Sequence, residues 1–217
     1  EFRRVLFRSN LQELLKSFEG KKSSGGFNDI KFFSLKDDGD KATVKILIRN
    51  EDDILKFARP LHMVEINGYQ NKVLCLDTVG NTGNCECCKA GIKRQLKIML
   101  PLYNVATGQV ELWERGINQI KDLQVMLGKY GDLSEHTFEI IRSGKAKSKD
   151  TKYTMMYDPS KVDVNVDELE IPEVTGRNFK LILDLSAEQQ KEAMLEGKVT
   201  WGKKEESETK ESSELDF

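Results

Sequence analysis

The residues best suited to chemistry fall in one stretch, from His62 to Gly91, which holds all four cysteines of the 217-residue chain and one of its two histidines. The order is His62, twelve residues, Cys75, nine residues, then Cys85-Glu86-Cys87-Cys88. Thiolate sulfur and imidazole nitrogen are the ligands of tetrahedral zinc, and two cysteines separated by two residues let one tight turn present both sulfurs to one ion. The strand-like runs HMVEI and KVLCL are joined by the turn Asn67-Gly68, so His62 and Cys75 can face a common point. The spacing predicts a structural zinc site of His62, Cys75, Cys85 and Cys88, one Zn2+ per chain, with all four positions supplied by protein. Cys87 is left as a spare thiol, because neighbouring cysteines and a one-residue gap make poorer chelates.

Two other readings of these cysteines stand beside this one. Free cysteine is commonly a buried apolar filler, which predicts scatter, whereas here every cysteine falls within fourteen residues. A redox Cys-x-x-Cys pair follows a strand and opens a helix; here the pair closes the Gly/Asn-rich loop Val79-Gly80-Asn81-Thr82-Gly83-Asn84.

The spacing His-x12-Cys-x9-Cys-x2-Cys resembles the zinc site of the gene-32-type single-stranded DNA-binding proteins of T-even bacteriophages and their relatives. The segment Phe33-Ser34-Leu35-Lys36-Asp37-Asp38-Gly39-Asp40 ahead of a strand and an acidic C-terminal tail agree with it, and the resemblance covers residues 27–160. It implies an OB-fold core with an inserted zinc subdomain. It also implies a protein that coats and protects single-stranded DNA during phage replication, recombination and repair, in the cytoplasm of an infected bacterium.

Composition sets wider bounds. Charged residues make up 32% of the chain and hydrophobic residues 38%, enough for one sizeable core under a polar surface. No run approaches the roughly 18 apolar residues of a membrane span. With no secretory signal in view, a reducing, cytosol-like compartment is expected, which suits thiolate ligands better than disulfides. The net charge of −2 does not advertise nucleic acid, but the distribution of charge matters more than its sum.

Along the chain, residues 1–9 (EFRRVLFRS) back-translate without strain into the end of a common short-read sequencing adapter. They are expected to be foreign, with the true start lost, and are set aside. In residues 10–26, Leu11, Leu14, Leu15 and Phe18 form a helical stripe ahead of a basic linker bearing Lys21, Lys22, Ser23 and Ser24. The resemblance implies that this segment self-associates along DNA; a plain capping helix and linker fits as well.

Residues 27–160 are expected to form the core, with the zinc subdomain at 61–91. Val44, Ile46 and Ile48 share one strand face and Thr43, Lys45 and Arg49 the other; further strand runs fall at 61–66, 71–76, 95–103, 109–115, 137–142 and 151–157. One helix interrupts them, with Ile117, Ile120, Leu123, Leu127 and Tyr130 at helical spacing and Gly131 at its end. The pattern predicts a mainly β fold with α additions (α+β), and a partly open five-stranded barrel with one inserted helix is what an OB-fold looks like. Residues 161–202 read as an acidic connector, a strand (NFKLILDL) and a helix opened by a Ser186/Gln189 capping box and stopped by Gly197, packing on the core. Residues 203–217 are polar and aperiodic, an acidic disordered tail.

Single strands are held by cations for phosphates and flat rings for bases. After the cysteine knuckle come Lys89, Lys93, Arg94 and Lys97; around a Ser-Gly loop come Arg142, Lys145, Lys147, Lys149 and Lys152; Lys72 and Arg115 add to these. The interleaved rings are Tyr69, Tyr103, Trp113, Tyr153 and Tyr157, with Tyr153 and Tyr157 on one strand face. Trp113 can equally fill the core, and Phe138 and Phe179 read as core.

Residues 205–217 carry six acids against one lysine and end Leu215-Asp216-Phe217. Such a tail can occupy the protein's own cationic groove. Asp216 and Phe217 resemble the docking tip through which replicative single-strand-binding proteins recruit replication and recombination partners. The rival function is a zinc-ribbon interaction or transcription factor that contacts a polymerase rather than DNA. No enzyme is expected, because clustered carboxylates and a phosphate-cradling glycine loop are missing and His136 stands alone in an acidic loop. Deleting residues 205–217 is expected to raise affinity for single-stranded DNA at low salt in a fluorescence titration; a fall would contradict the self-mimic reading.

Overall fold

A computed structural model describes residues 30–77, 83–145, 148, 150–176 and 180–201. The adapter-like stretch, the whole 10–26 segment with its linker, Lys147, Lys149, Phe179 and the acidic tail with Asp216 and Phe217 lie outside the described residues.

The chain runs β1 (Lys41–Ile46), α1 (Glu51–Phe57), β2 (Ala58–Ile66), β3 (Tyr69–Leu74), α2 (Glu86–Lys89), β4 (Gln95–Asn104) and β5 (Gln109–Gly116). It continues through α3 (Ile117–Tyr130), β6 (Thr137–Ser143), β7 (Lys152–Asp158), β8 (Thr175–Gly176), β9 (Ile182–Leu183) and α4 (Ala187–Glu196). The fold is thus mainly β-sheet with a few helices, as the alternating sequence pattern predicts. The strand order is β7-β6-β1-β4-β2-β3-β9-β8, with β5 also on β4.

β4 organises this sheet. β5 lies antiparallel along one edge of it, from Lys97↔Gly116 to Asn104↔Gln109. Its other edge is divided: β2 pairs at Ala58↔Ile98 to Leu61↔Gln95, and β1 pairs at Val44↔Asn104 to Ile46↔Leu102. The sheet therefore forks, one arm going through β1 to β6 and β7, the other through β2 to β3.

The main core fills the first arm. Val44, Ile46, Ile98, Leu100, Leu102, Trp113, Phe138 and Ile140 face Ile120 and Leu123 of α3, with Phe33, Ile54 and Phe57 at its margins. The sheet does not close into a barrel: among the described residues no ladder joins β5 to β7. Side chains span the gap instead. Trp113 of β5 meets Tyr153 of β7 edge-on at 5.1 Å and Phe33 at 5.5 Å.

The second arm is the β2–β3 hairpin, turned at Asn67 (φ 53°) and Gly68 (φ 77°). Two positive φ values in succession are what a two-residue hairpin turn demands. His62, Val64 and Ile66 from one strand and Val73 and Cys75 from the other line the same face, since side chains alternate. With Cys85, Cys87, Leu185 and Ala193 they form a second, smaller core.

The C-terminal segment lies mainly against the hairpin: β9 pairs in parallel with β3 at Lys72↔Ile182, and α4 covers the second core, while Asp167 of the connector pairs with Arg49. The capping box of Ser186 and Gln189 and the left-handed Gly197 (φ 64°) bound α4 as its sequence predicts. The helix α1 has no counterpart in the sequence reading. Asn50 caps it by accepting the Asp53 amide at 3.1 Å, three acids occupy its first turn, and only Ile54 and Phe57 are buried. No helix among the described residues is long and apolar enough to cross a membrane.

Phe138 is fully buried beneath Tyr130 and Tyr157. Phe138→Ala is expected to cost about 3–5 kcal/mol of stability in denaturant unfolding, the range for a large ring deleted from a packed core.

Candidate metal centre

Three elements deliver the four ligand-type side chains. His62 sits mid-strand in β2 opposite Val73, and Cys75 follows directly on β3, so the two are diagonal neighbours on one face of the hairpin. The Cys75 amide donates to the Pro60 carbonyl at 2.9 Å, extending the pairing to the ligand itself. Cys85 caps the single-turn helix α2 and Cys88 lies within it. The buried Asp77 carboxylate accepts the Asn84 amide at 3.1 Å, drawing the loop that leads to the knuckle back towards the strand.

The ligand atoms of His62, Cys75, Cys85 and Cys88 all lie within 4.8 Å of one another. Cys75 Sγ and Cys88 Sγ are 3.6 Å apart, and His62 Nε2 is 3.5 Å from both Cys85 Sγ and Cys88 Sγ. The set expected from spacing is therefore the set brought together, and it could hold a metal ion. Cys87 is not one of the four: it is fully buried in the second core, and burial pushes its thiol up to about 12. One expectation is corrected. The Cys85–Cys88 pair does open a helix, a short one, although it follows a loop rather than a strand.

The protonation pattern suits metal ligation. Burial lowers the pKa of His62 and favours the neutral ring, while Nδ1 lies 3.0 Å from the Ile92 carbonyl. A nitrogen facing a carbonyl must donate, which puts the proton on Nδ1 and leaves the Nε2 lone pair towards the sulfurs. Burial raises Cys75 and Cys88. Burial also acts to raise Cys85, but amides of Cys88 and Leu76 pointing at its sulfur outweigh it and bring the thiol below its ordinary value. A bound cation would deprotonate all three thiols.

Gln190, which the sequence reading missed, also belongs here. Its Oε1 accepts from the Glu86 and Cys87 amides and its Nε2 donates to the Leu74 carbonyl. It carries no local signal beyond an inward position on α4.

The nucleic-acid candidates divide into buried, ion-paired and exposed positions. Trp113 is 1% exposed and Arg142 4%, so both leave the surface set. Trp113 is core, and Arg142 shapes its own loop, donating to the Lys145 carbonyl at 3.0 Å and the Thr151 hydroxyl at 3.2 Å. Arg115 is wedged between rings, its guanidinium carbon 4.1 Å from the centres of both Trp113 and Tyr153. Tyr153 and Tyr157 share a face as predicted, but it is the core-facing side of β7, and Tyr153 is half-buried there. Lys72 and Lys97 flank Glu114 at 2.7 Å and 3.6 Å, and Lys89 pairs with Glu86 at 2.6 Å. Tyr103 is half-buried, while Lys93, Arg94, Lys145 and Lys152 are exposed. Tyr69 at the hairpin tip is 76% exposed, and Tyr157, stacked on Tyr130 at 5.5 Å, is 47% exposed.

Fold and site together define an α+β protein with an unclosed sheet and a buried cluster of three cysteines and one histidine able to hold a metal ion. No protein-family model matches the chain, and no curated protein matches it.

The geometry separates the four cysteines by experiment. Cys87→Ala is expected to retain one metal ion per chain by elemental analysis, whereas Cys85→Ala and His62→Ala lose it on dialysis. Chelation of the parent chain is expected to lower its unfolding midpoint.

Proposed function

We propose that the chain is a zinc-stabilised, non-enzymatic protein that binds single-stranded DNA, with the OB architecture as its scaffold. The observation that carries this reading is the strand order around β4. If the β2–β3 hairpin is counted as an insertion, the remaining strands run β5-β4-β1-β6-β7, with α3 between the third and fourth in sequence. An OB-fold pairs its first strand with the second and fourth, the second with the third and the fourth with the fifth, and is often partly open. Its oligonucleotide surface is the face of strands two and three, flanked by the loops joining strands one to two and four to five. Here the first of those loops carries the metal hairpin, and the second is the basic turn containing Lys145.

Zinc is the metal the donor set fits. Bond lengths of about 2.3 Å to sulfur and about 2.0–2.1 Å to nitrogen, opened to the tetrahedral angle, require edges of about 3.8 Å between sulfurs and about 3.5 Å between sulfur and nitrogen. The observed 3.6 Å and 3.5 Å correspond closely. His62, Cys75, Cys85 and Cys88 would fill all four positions, and a closed site of this kind supplies folding energy rather than chemistry.

The side chains proposed to meet the strand are the exposed cations Lys93, Arg94, Lys145 and Lys152 and the rings of Tyr69, Tyr103 and Tyr157. Binding of this kind coats and protects single strands in phage replication, recombination and repair in the infected cell. The C-terminal tail, with Asp216 and Phe217, would recruit partner proteins, and residues 10–26 would contact a neighbouring copy. The rival reading, a zinc-bearing interaction factor that contacts a polymerase, shares the metal and drops the nucleic acid.

A salt-resolved titration with a thymidine oligomer separates them. Affinity is expected to fall steeply with salt. Tyr69→Ala and Tyr157→Ala should each weaken binding by about 5- to 150-fold, the equivalent of about 1–3 kcal/mol per stacked base, and Lys145→Ala should reduce the salt slope by about one. A metal-loaded chain that leaves the oligomer unbound would favour the interaction factor.

A further inference from the structure

We infer that Gln190 is a positioning residue of the metal centre, an amide clamp from the C-terminal helix that holds the two ligand-bearing arms in register. The inference rests on the metal-site reading of this cluster. Gln190 is 0% exposed, and a buried amide is tolerated only when its donors and acceptors are met. Oε1 lies 3.1 Å from the Glu86 amide, 3.4 Å from the Cys87 amide and 3.4 Å from Cys85 Sγ. Nε2 donates to the Leu74 carbonyl at 3.0 Å.

The orientation of the amide is dictated by these partners. Only the oxygen can face two backbone N–H groups, and only the nitrogen can face a carbonyl; a flip would turn all three backbone contacts repulsive. Leu74 immediately precedes the ligand Cys75, and Glu86 immediately follows the ligand Cys85. One planar group therefore spans the residue before one sulfur and the residue after another, from more than a hundred positions along the chain.

The knuckle needs such a partner. The first N–H groups of a helix have no acceptor within it, and the Cys85 sulfur, at the cap of the four-residue α2, is approached by the Cys88 amide, which leaves those of Glu86 and Cys87 to be met from elsewhere. Gln190 meets the Glu86 and Cys87 amides from outside. The Cys85 thiol proton is a third donor only while the cluster is empty. Once an ion displaces it, the clamp acts through the two backbone bonds and Leu74. A residue that orients ligands in this way governs how tightly and how long the ion is held, without touching it.

The test uses the full chain. Zinc and cobalt content of the parent protein comes first; sub-stoichiometric uptake of both overturns the metal reading and leaves the clamp without an object. Two variants then divide the roles of α4. Gln190→Met keeps the length and burial of the side chain and removes its amide. Ser186→Ala removes the capping box of the same helix and touches nothing in the cluster.

Gln190→Met is expected to release zinc to a chromophoric chelator about 10–100-fold faster than the parent and to shift the thiolate-to-cobalt absorption of the cobalt form, while Ser186→Ala stays within about threefold and keeps the parental spectrum. Parental release and spectrum in Gln190→Met would overturn the clamp. So would equal acceleration by Ser186→Ala, which would make Gln190 a packing residue. Should Gln190→Met fail to fold, amide exchange in the metal-loaded parent decides. Slow exchange at Glu86 and Cys87 supports the clamp, and exchange at exposed-loop rates refutes it.

Discussion

The second core is too small to stand on apolar contacts. Val64, Ile66, Val73, Leu185 and Ala193 are its buried aliphatic members, and the rest of its interior is cysteine, with His62 beside it. Apolar burial contributes about 25 cal/mol per Å2, and units of this size ordinarily need a disulfide or a metal to hold them. The cysteines here are free thiols. Four donors that converge within reach of one ion could supply that stabilisation, and the hairpin, the knuckle turn and α4 all meet around that convergence. The main core, with its ring of aliphatic strand residues under α3, has no such need.

Much of this was legible from residue pattern, for identifiable reasons. β1 and β6 alternate so that one face had to be buried, β4 shows instead as the apolar run 98–102, and α3 carries enough turns for its 3.6-residue period to show. The metal set was legible because ligand spacing is set by covalent reach within a knuckle and by register within a hairpin. α1 escaped because two buried residues in seven give no period, although Asn50 and the acids after it are a usable N-terminal signal. Gln190 escaped for a deeper reason. Its partners are backbone atoms on two other elements, and backbone positions leave no trace in residue types. Trp113 was ambiguous because a tryptophan in an alternating strand reads alike whether its face meets core or ligand; Phe33 and Tyr153, which decide the matter, come from distant segments.

Charge behaves similarly. Read along the sequence, Lys72 and Lys97 are two cations in separate basic stretches. In three dimensions they share one carboxylate, Glu114, at 2.7 Å and 3.6 Å. The acid sits on β5, opposite Met99, and draws β3 of the hairpin towards the sheet's face. These lysines are thus engaged in tertiary contact, whereas Lys93, Arg94, Lys145 and Lys152 are exposed candidates at the loops and at the start of β7. A net charge near neutrality is compatible with a local cationic surface when acids elsewhere balance it.

β4 is where the two halves of the molecule meet. Ile98, Leu100 and Leu102 point into the main core, while Met99, on the opposite face, packs with Leu61 and Ile182 beneath the hairpin. A strand whose faces belong to different cores cannot shift towards one without leaving the other, because packed interiors tolerate little free volume. The hairpin is therefore bound to the sheet twice, by β4 at its base and by Glu114 across its face. At the opposite margin no ladder joins β5 to β7 among the described residues; residues 31–33 pair along β5 through Phe32↔Leu112, and Trp113, Arg115 and Tyr153 pack across to β7. Ring and guanidinium contacts are weaker and less directional than a hydrogen-bonded ladder. The two margins of the sheet are thus held differently, the hairpin side by a hydrogen-bonded ladder and ion pairs to Glu114, the β5–β7 side by ring and guanidinium packing.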